Sequence, residues 1–453
     1  MYRRKFLLVL LLVSFVSSAY GAVVANIEER DEPSIITGEQ LLYDLTYLMQ
    51  AMEEGFMQLG HAYRKFGVDV REQGAMLAER IKNNPYDLDK HEFYELLREY
   101  IFTPGLHRAG SNSWAMTTSN VDVLSRCFYL ELFLRTSQAE PGTYQRFVHQ
   151  TLSNPASVLF YTGLEAEPGF RDAVIDLAIQ NHPYFMEAVS GLPIVVTNIL
   201  EDGNIAYISV DWMGPNPIQD PAFFDALENR IFAFYDSLSD FGHLIIDLRN
   251  NMGGFLPFAE RNLIGPHMSG EPVSLDIYAF FSTCARVRRF VAYTYPLSNF
   301  PRTPVTDMLA EGMFSYMNPY DVANLAYGFF NRQLTFAPTA HRSPFNGQIW
   351  LLTNEETGSA AEITAHLARE AGVAVIVGEQ TRGNFGKTTG QGNLLFLALP
   401  NTGIIVTWDP MYFTDSYGRH LHEYYVIPDI FNHPGMDALE TALALIADGF
   451  VPE

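Results

Sequence analysis

Ser359 is the residue with the clearest chemical potential. It lies in the stretch from Gly347 to Gln391, GQIWLLTNEETGSAAEITAHLAREAGVAVIVGEQTRGNFGKTTGQ. A serine hydroxyl attacks a carbonyl only when a base takes its proton and amide donors receive the developing oxyanion. The flanking residues fit that need. Ile349 to Leu352 is a short apolar run bounded by Gly347 and Asn354-Glu355-Glu356, which reads as a buried strand. After Thr357-Gly358-Ser359, the run Ala360, Ala361, Glu362, Ile363, Leu367, Ala368 has helix-forming residues at apolar spacings of three and four. Val373 to Val377 then reads as a second strand, closing a strand-helix-strand unit. Ser359 thus stands where strand gives way to helix, and first-turn N–H groups without intrahelical partners point at whatever the serine binds. The alternative is that Ser359 only caps the helix, a position serine favours.

Two further stretches extend the pattern. His243 to Gly254 reads HLIIDLRNNMGG, a buried strand running into paired glycines. Glycines there let backbone approach a reacting group closely. Leu399-Pro400-Asn401-Thr402-Gly403 is followed by Tyr412 and by Ile427-Pro428-Asp429. In this order the three segments resemble the C-terminal processing serine proteases of peptidase family S41, over roughly residues 195 to 435. The resemblance implies an α/β serine peptidase core, crotonase-like and of ββα type, with a helical N-terminal region. It also implies an oxyanion hole formed by the Gly254 and Ala360 amides, a peptide or protein substrate, and no metal or organic cofactor.

The base is less plainly written. One branch of the family uses a lysine in a segment similar to G-E-x-T-F-G-K. Here Gly378-Glu379-Gln380-Thr381 leads to Asn384 at the ungapped lysine position, and to Lys387 if three residues are inserted. The other branch uses a histidine supported by a glutamate near the last motif. Its histidine loop resembles D-x-H-S/T, and His107 in TPGLHRAGSNSW occupies that place without the aspartate, while Glu423 stands ahead of Tyr424 and Pro428-Asp429. The wording around Asn384 favours Ser359, His107 and Glu423 over Ser359 and Lys387. The incomplete base motifs also leave room for a binding protein on the same scaffold. His366, two turns past Ser359, reads as a core residue. His420 and His422 could pair on a metal, but no HExxH or paired CxxC accompanies them, so none is expected.

Residues 1–21 carry Arg3, Arg4 and Lys5, an apolar run from Phe6 to Val16, and Ala19-Tyr20-Gly21. This is a signal-peptide pattern, so a secreted or periplasmic protein is expected. No later stretch is apolar enough for a membrane span in the mature chain. A hydrophobic fraction of 48% over 453 residues supports large cores, and a net charge of -23 argues against nucleic acid or anionic membranes as partners. Cys127 and Cys284 could form one disulfide or stay apart.

Residues 22–190 read as a helical region and 191–453 as the peptidase core. Thr37 to Gln40 resembles a capping box ahead of Leu41, Leu45, Leu48 and Met52 at helical spacing. Further helices are predicted over Gly74 to Lys82, His91 to Tyr100, Val121 to Leu134, Tyr144 to Leu152 and Phe170 to Ile179. No glycine-rich strand pattern of a PDZ module interrupts them. Pro193 to Leu200 and Ile205 to Val210 read as strands joined at Glu201-Asp202-Gly203-Asn204, with a helix over Phe223 to Ser237. Residues 255–345, rich in aromatics and prolines, give no clear pattern.

Overall fold

A computed structural model describes residues 35–83, 88–102, 121–123, 129, 132, 140, 142–162, 194–213, 221–383, 385 and 394–451. The signal-peptide pattern, the Phe170–Ile179 helix, Cys127, His107 and Lys387 lie outside the described residues.

The centre is a six-stranded sheet. Its order is Ile430–Phe431, Val375–Gly378, Gln348–Thr353, His243–Asp247, Ile205–Val210, Val195–Glu201. The first five strands run parallel and the last pairs antiparallel with Ile205–Val210. The central parallel strands carry buried apolar runs, such as Leu244 to Ile246 and Ile349 to Leu352, because helices cover them, as parallel sheets require. The helix Pro221–Asp236 connects Ile205–Val210 to His243–Asp247, and the helix Ala360–Glu370 connects Gln348–Thr353 to Val375–Gly378. Ile245, Trp350, Leu352 and Val377 on one sheet face pack under Ala438, Ala442 and Leu445 of the last helix. The architecture is the mixed α/β one expected, with a helical N-terminal region.

That region shares one core with the sheet. Thr37 and Gln40 form the expected capping box, and the helix Gly38–Gly55 buries Leu41, Leu45, Leu48 and Met52. Asp69 accepts from the Arg71 and Glu72 amides, so the next helix, Val70–Lys82, starts four residues before Gly74. The helix Lys90–Leu97 gives way to a π turn at Arg98–Phe102. Val121–Val123 is a strand, not the start of a helix. It pairs with Ile405–Trp408, whose other edge holds Leu395–Ala398. The valines there are β-branched, and the open hairpin edge overrides the helical spacing that follows them.

A buried carboxylate ties the two regions together. Asp44, fully buried on the first helix, accepts from the Asn401 amide and Nδ2, both at 2.9 Å, and from the Thr402 amide and hydroxyl at 2.8 and 2.7 Å. The Asn-Thr-Gly part of the third motif is therefore an anchor for the N-terminal helix.

The unpatterned stretch 255–345 builds a second sheet, antiparallel, in the order Tyr412–Asp415, Val273–Phe281, Tyr327–Phe336, Thr303–Pro304. Phe280, Met308, Phe314, Met317 and Tyr412 fill its own small core. Cys284 is a free thiol. Among the described residues no helix is long and apolar enough to cross a membrane.

Candidate active site

Two loops leave the carboxyl ends of adjacent parallel strands and interlock. Leu248 to Gly254 follows one strand, and Asn354 to Ser359 follows its neighbour. The Asn250 amide donates to Asn354 Oδ1 at 2.9 Å, and Asn354 Nδ2 returns a bond to Asn250 Oδ1 at 2.9 Å. The buried Thr357 hydroxyl donates to the Leu248 carbonyl at 2.9 Å and accepts from the Asn354 amide at 3.0 Å. The Gly358 amide donates to the Asn251 carbonyl at 3.0 Å. Asn251 itself is fully buried, with Nδ2 donating to the Val210 carbonyl at 2.7 Å and Oδ1 accepting from the Gly253 amide at 2.8 Å. Every strand end nearby is thus fixed by hydrogen bonds, and the geometry at Ser359 is imposed from both sides.

Ser359 carries the result. Its backbone adopts φ 53° and ψ −124°, a region that favours glycine. Holding a residue with a Cβ there costs on the order of 1–3 kcal/mol. Such strain persists only where the surroundings over-determine it. The side chain is half-buried, its hydroxyl bonds to no described residue, and it does not cap the helix. The capping alternative is therefore not what the structure uses.

Gly253 lies against the serine. A Cβ on Gly253, at φ 102°, would sit 2.5 Å from Ser359 Cβ, 2.9 Å from Ser359 Oγ and 2.7 Å from the Ala360 nitrogen. Only glycine allows this approach. The Gly253 amide is committed to Asn251, whereas the Gly254 amide bonds to no described acceptor. The Ala360 amide, first in the helix, likewise has no described acceptor. The two amides expected to form an oxyanion hole thus both lack a described acceptor, one on the residue after Gly253 and the other on the residue after Ser359.

The motif's other polar residues hold the frame. Glu362, fully buried one turn into the helix, accepts from the Gly383 amide at 2.8 Å and from the Thr381 hydroxyl, which in turn accepts from the Val426 amide at 2.8 Å. Arg249 pairs with Asp247 at 2.7 Å and with Asp437, the cap of the last helix, at 2.8 Å. His366 is a core residue, with the Tyr424 hydroxyl 3.5 Å from its Nδ1.

Glu423 has partners the sequence did not suggest. Its Oε1 lies 3.2 Å from His61 Nδ1 and accepts from Arg64 Nε at 2.9 Å. Burial works to raise this carboxyl, but the His61 bond and the Arg64 guanidinium outweigh it and hold the group below the ordinary carboxylate range. Lys65, on the same helix Leu59–Phe66, donates to the carbonyls of Arg382, Gly383 and His422 at 2.9, 2.7 and 3.0 Å. Burial and the neighbouring Arg382 lower its amine to about 8, against the pull of Glu362 and Glu423. Since Arg382 also donates its amide to the Thr357 carbonyl at 2.9 Å, Lys65 braces the segment that backs the serine loop. His61 and Lys65 stand four residues apart, the spacing that puts two side chains on one helical face, and that spacing was the available sign.

Residues 306–431, which contain Ser359 and Glu423 but begin after Gly254, match the family described as Peptidase family S41. No curated protein matches the chain. Among solved structures, it is similar to a putative peptidase from Parabacteroides merdae at 14% identity, over 91% of this chain and 99% of that one, with a TM-score of 0.47. It is similar also to mature CPAF complexed with lactacystin, at 13% identity over 91% and 97% with a TM-score of 0.46. A lipoprotein from Streptococcus agalactiae is similar at 11% identity over 94% and 100%, with a TM-score of 0.39. The serine turn and Glu423 thus both lie inside the segment, residues 306–431, that matches peptidase family S41, with the expected α/β architecture around it.

Proposed function

We propose that the protein is a serine-type peptidase, exported by its N-terminal segment, that cleaves peptide bonds through an acyl-enzyme on Ser359. The carrying observation is the strained turn at Ser359, pressed against Gly253 with the Ala360 nitrogen beside it. In the first step Ser359 Oγ bonds to the substrate carbonyl carbon while its proton passes to a base. Charge collects on the carbonyl oxygen, where two amides fixed in advance stabilise it more than water would. The carbon–nitrogen bond then breaks and the base hands its proton to the leaving amine. Water repeats the sequence on the ester, releasing the acid and restoring the serine. The family resemblance supplies the base as His107 or, in the other reading, Lys387. Glu423, the expected support for His107, has His61 and Arg64 as its described partners.

The test is covalent labelling with a fluorophosphonate probe, followed by peptide mapping and a peptide-hydrolysis assay. Labelling at Ser359, lost together with hydrolysis in Ser359→Ala, is the expected result. Hydrolysis unchanged in Ser359→Ala overturns the reading. His107→Ala and Lys387→Ala, compared in the same assay, identify the base.

A further inference from the structure

Three histidine rings and a carboxylate meet where the helix Leu59–Phe66 packs on the segment that follows Tyr412–Asp415. His61, His420 and His422 are buried, with ring centroids 5.2 Å apart for His61 and His420, 5.9 Å for His61 and His422, and 5.3 Å for His420 and His422. A nitrogen each of His61 and His420 and a carboxylate oxygen of Glu423 lie within 4.8 Å of one another.

The second observation is polar atoms left unserved. Both ring nitrogens of His420 and both of His422 are buried without a hydrogen-bond partner among the described residues. A neutral imidazole carries one donor and one acceptor, and leaving either unmet in the interior costs about 1–3 kcal/mol. Two adjacent rings with all four nitrogens unserved is therefore an expensive arrangement for a hydrogen-bonded core alone.

We propose that His61, His420 and Glu423 bind a divalent transition metal of the zinc class, with His422 as the fourth ligand. Imidazole nitrogen and carboxylate oxygen are the donors zinc takes in four-coordinate sites. With zinc–nitrogen bonds of about 2.0–2.1 Å at tetrahedral angles, the rings of two bound histidines are centred roughly 5 Å apart. The three rings already stand at that scale. Arg64 bridges Glu423 and the buried Asp321, its Nη2 lying 2.8 Å from Glu423 Oε1 and 2.6 Å from Asp321 Oδ2, and since His61 and Arg64 both engage Oε1, the other carboxylate oxygen of Glu423 is left for an ion. The side chain of Glu423 is 26% exposed, which gives an ion a way in. Such a centre would join the helix bearing Lys65 to the segment bearing His422, which Lys65 also bonds. An ion there would engage the carboxylate expected to support His107, so the test reads metal binding itself and not hydrolysis.

The experiment loads the full chain with Zn²⁺ or Co²⁺, removes free ion, and measures metal per chain and the Co²⁺ visible spectrum. One ion per chain is expected, with the intense absorption of four-coordinate Co²⁺. His61→Gln and His420→Gln should weaken binding beyond the ~100-fold limit typical of residues that only orient ligands, while His433→Gln leaves it unchanged. Should either variant fail to fold, X-ray absorption on the wild-type protein decides by the presence of at least two imidazoles in the metal's shell. No stoichiometric ion, unchanged affinity in both folded variants, or a shell without imidazole overturns the proposal.

Discussion

Gly253 and Ser359 are packed so closely that a methyl group on the glycine would lie 2.5 Å from the serine Cβ. Gly253→Ala must therefore push the serine turn away, and it also forces an alanine into φ 102°. Hydrolysis and probe labelling should both fall by at least about 100-fold, the scale of losing one oxyanion donor. Rates within a few-fold of wild type would show that the contact does not set the geometry of attack.

The strain at Ser359 gives a second expectation. Ser359→Gly should remove activity yet raise stability relative to Ser359→Ala by about 1–2 kcal/mol, because glycine relaxes at φ 53° and alanine does not. Paired urea unfolding curves of the two variants measure this. An alanine variant as stable as the glycine one would mean the turn holds no such energy.

The apolar strands around this turn were legible because burial on both faces writes uninterrupted runs such as Leu244 to Leu248 and Ile349 to Leu352. The elbow was legible through its small residues at the strand-helix switch. Val121–Val123 was misread because two valines with a following apolar pattern carry no sign of the distant hairpin edge that recruits them. The partners of Glu423 were hidden for the same reason. His61 and Arg64 are 362 and 359 residues away in sequence, and only the packing of the first helices on the core brings them together.

Thr357 tests the lock between the two loops. Its buried hydroxyl donates to Leu248 and accepts from Asn354. Thr357→Val keeps the shape but strands both partners, so stability should drop by about 1–3 kcal/mol. Because the serine turn begins two residues later, the maximal rate should drop as well. A variant with wild-type stability would remove the interlock from the account of the site.

Asp44 tests whether the helical region and the core unfold together. Four donors from Asn401 and Thr402 converge on its buried carboxylate. Asp44→Ala leaves them without an acceptor and should cost about 3 kcal/mol or more, since bonds to a charged group are worth about 1.5–3 kcal/mol each. One shared cooperative transition, shifted down in the variant, is expected in circular dichroism. Two transitions, with only the first shifted, would show separate folding units.

His366 gives a pH dependence whose sign is fixed by its environment. Burial, followed by the nearby Arg369 and Arg419, lowers its ring from 6.5 to about 4. Below pH 6.5 the unfolded chain takes up a proton that the folded chain refuses, so the contribution of this residue to stability is complete above 6.5 and falls as pH drops toward 4. The slope is about 1.4 kcal/mol per pH unit, or about 3 kcal/mol across the window. Other buried histidines titrate in the same direction, so the difference between wild type and His366→Gln isolates this one. Unfolding free energies measured from pH 7 to 4 should fall less steeply in the variant, by about one proton's worth. Parallel curves would mean that the ring is protonated in the folded protein and that Tyr424 and the helix around it admit water.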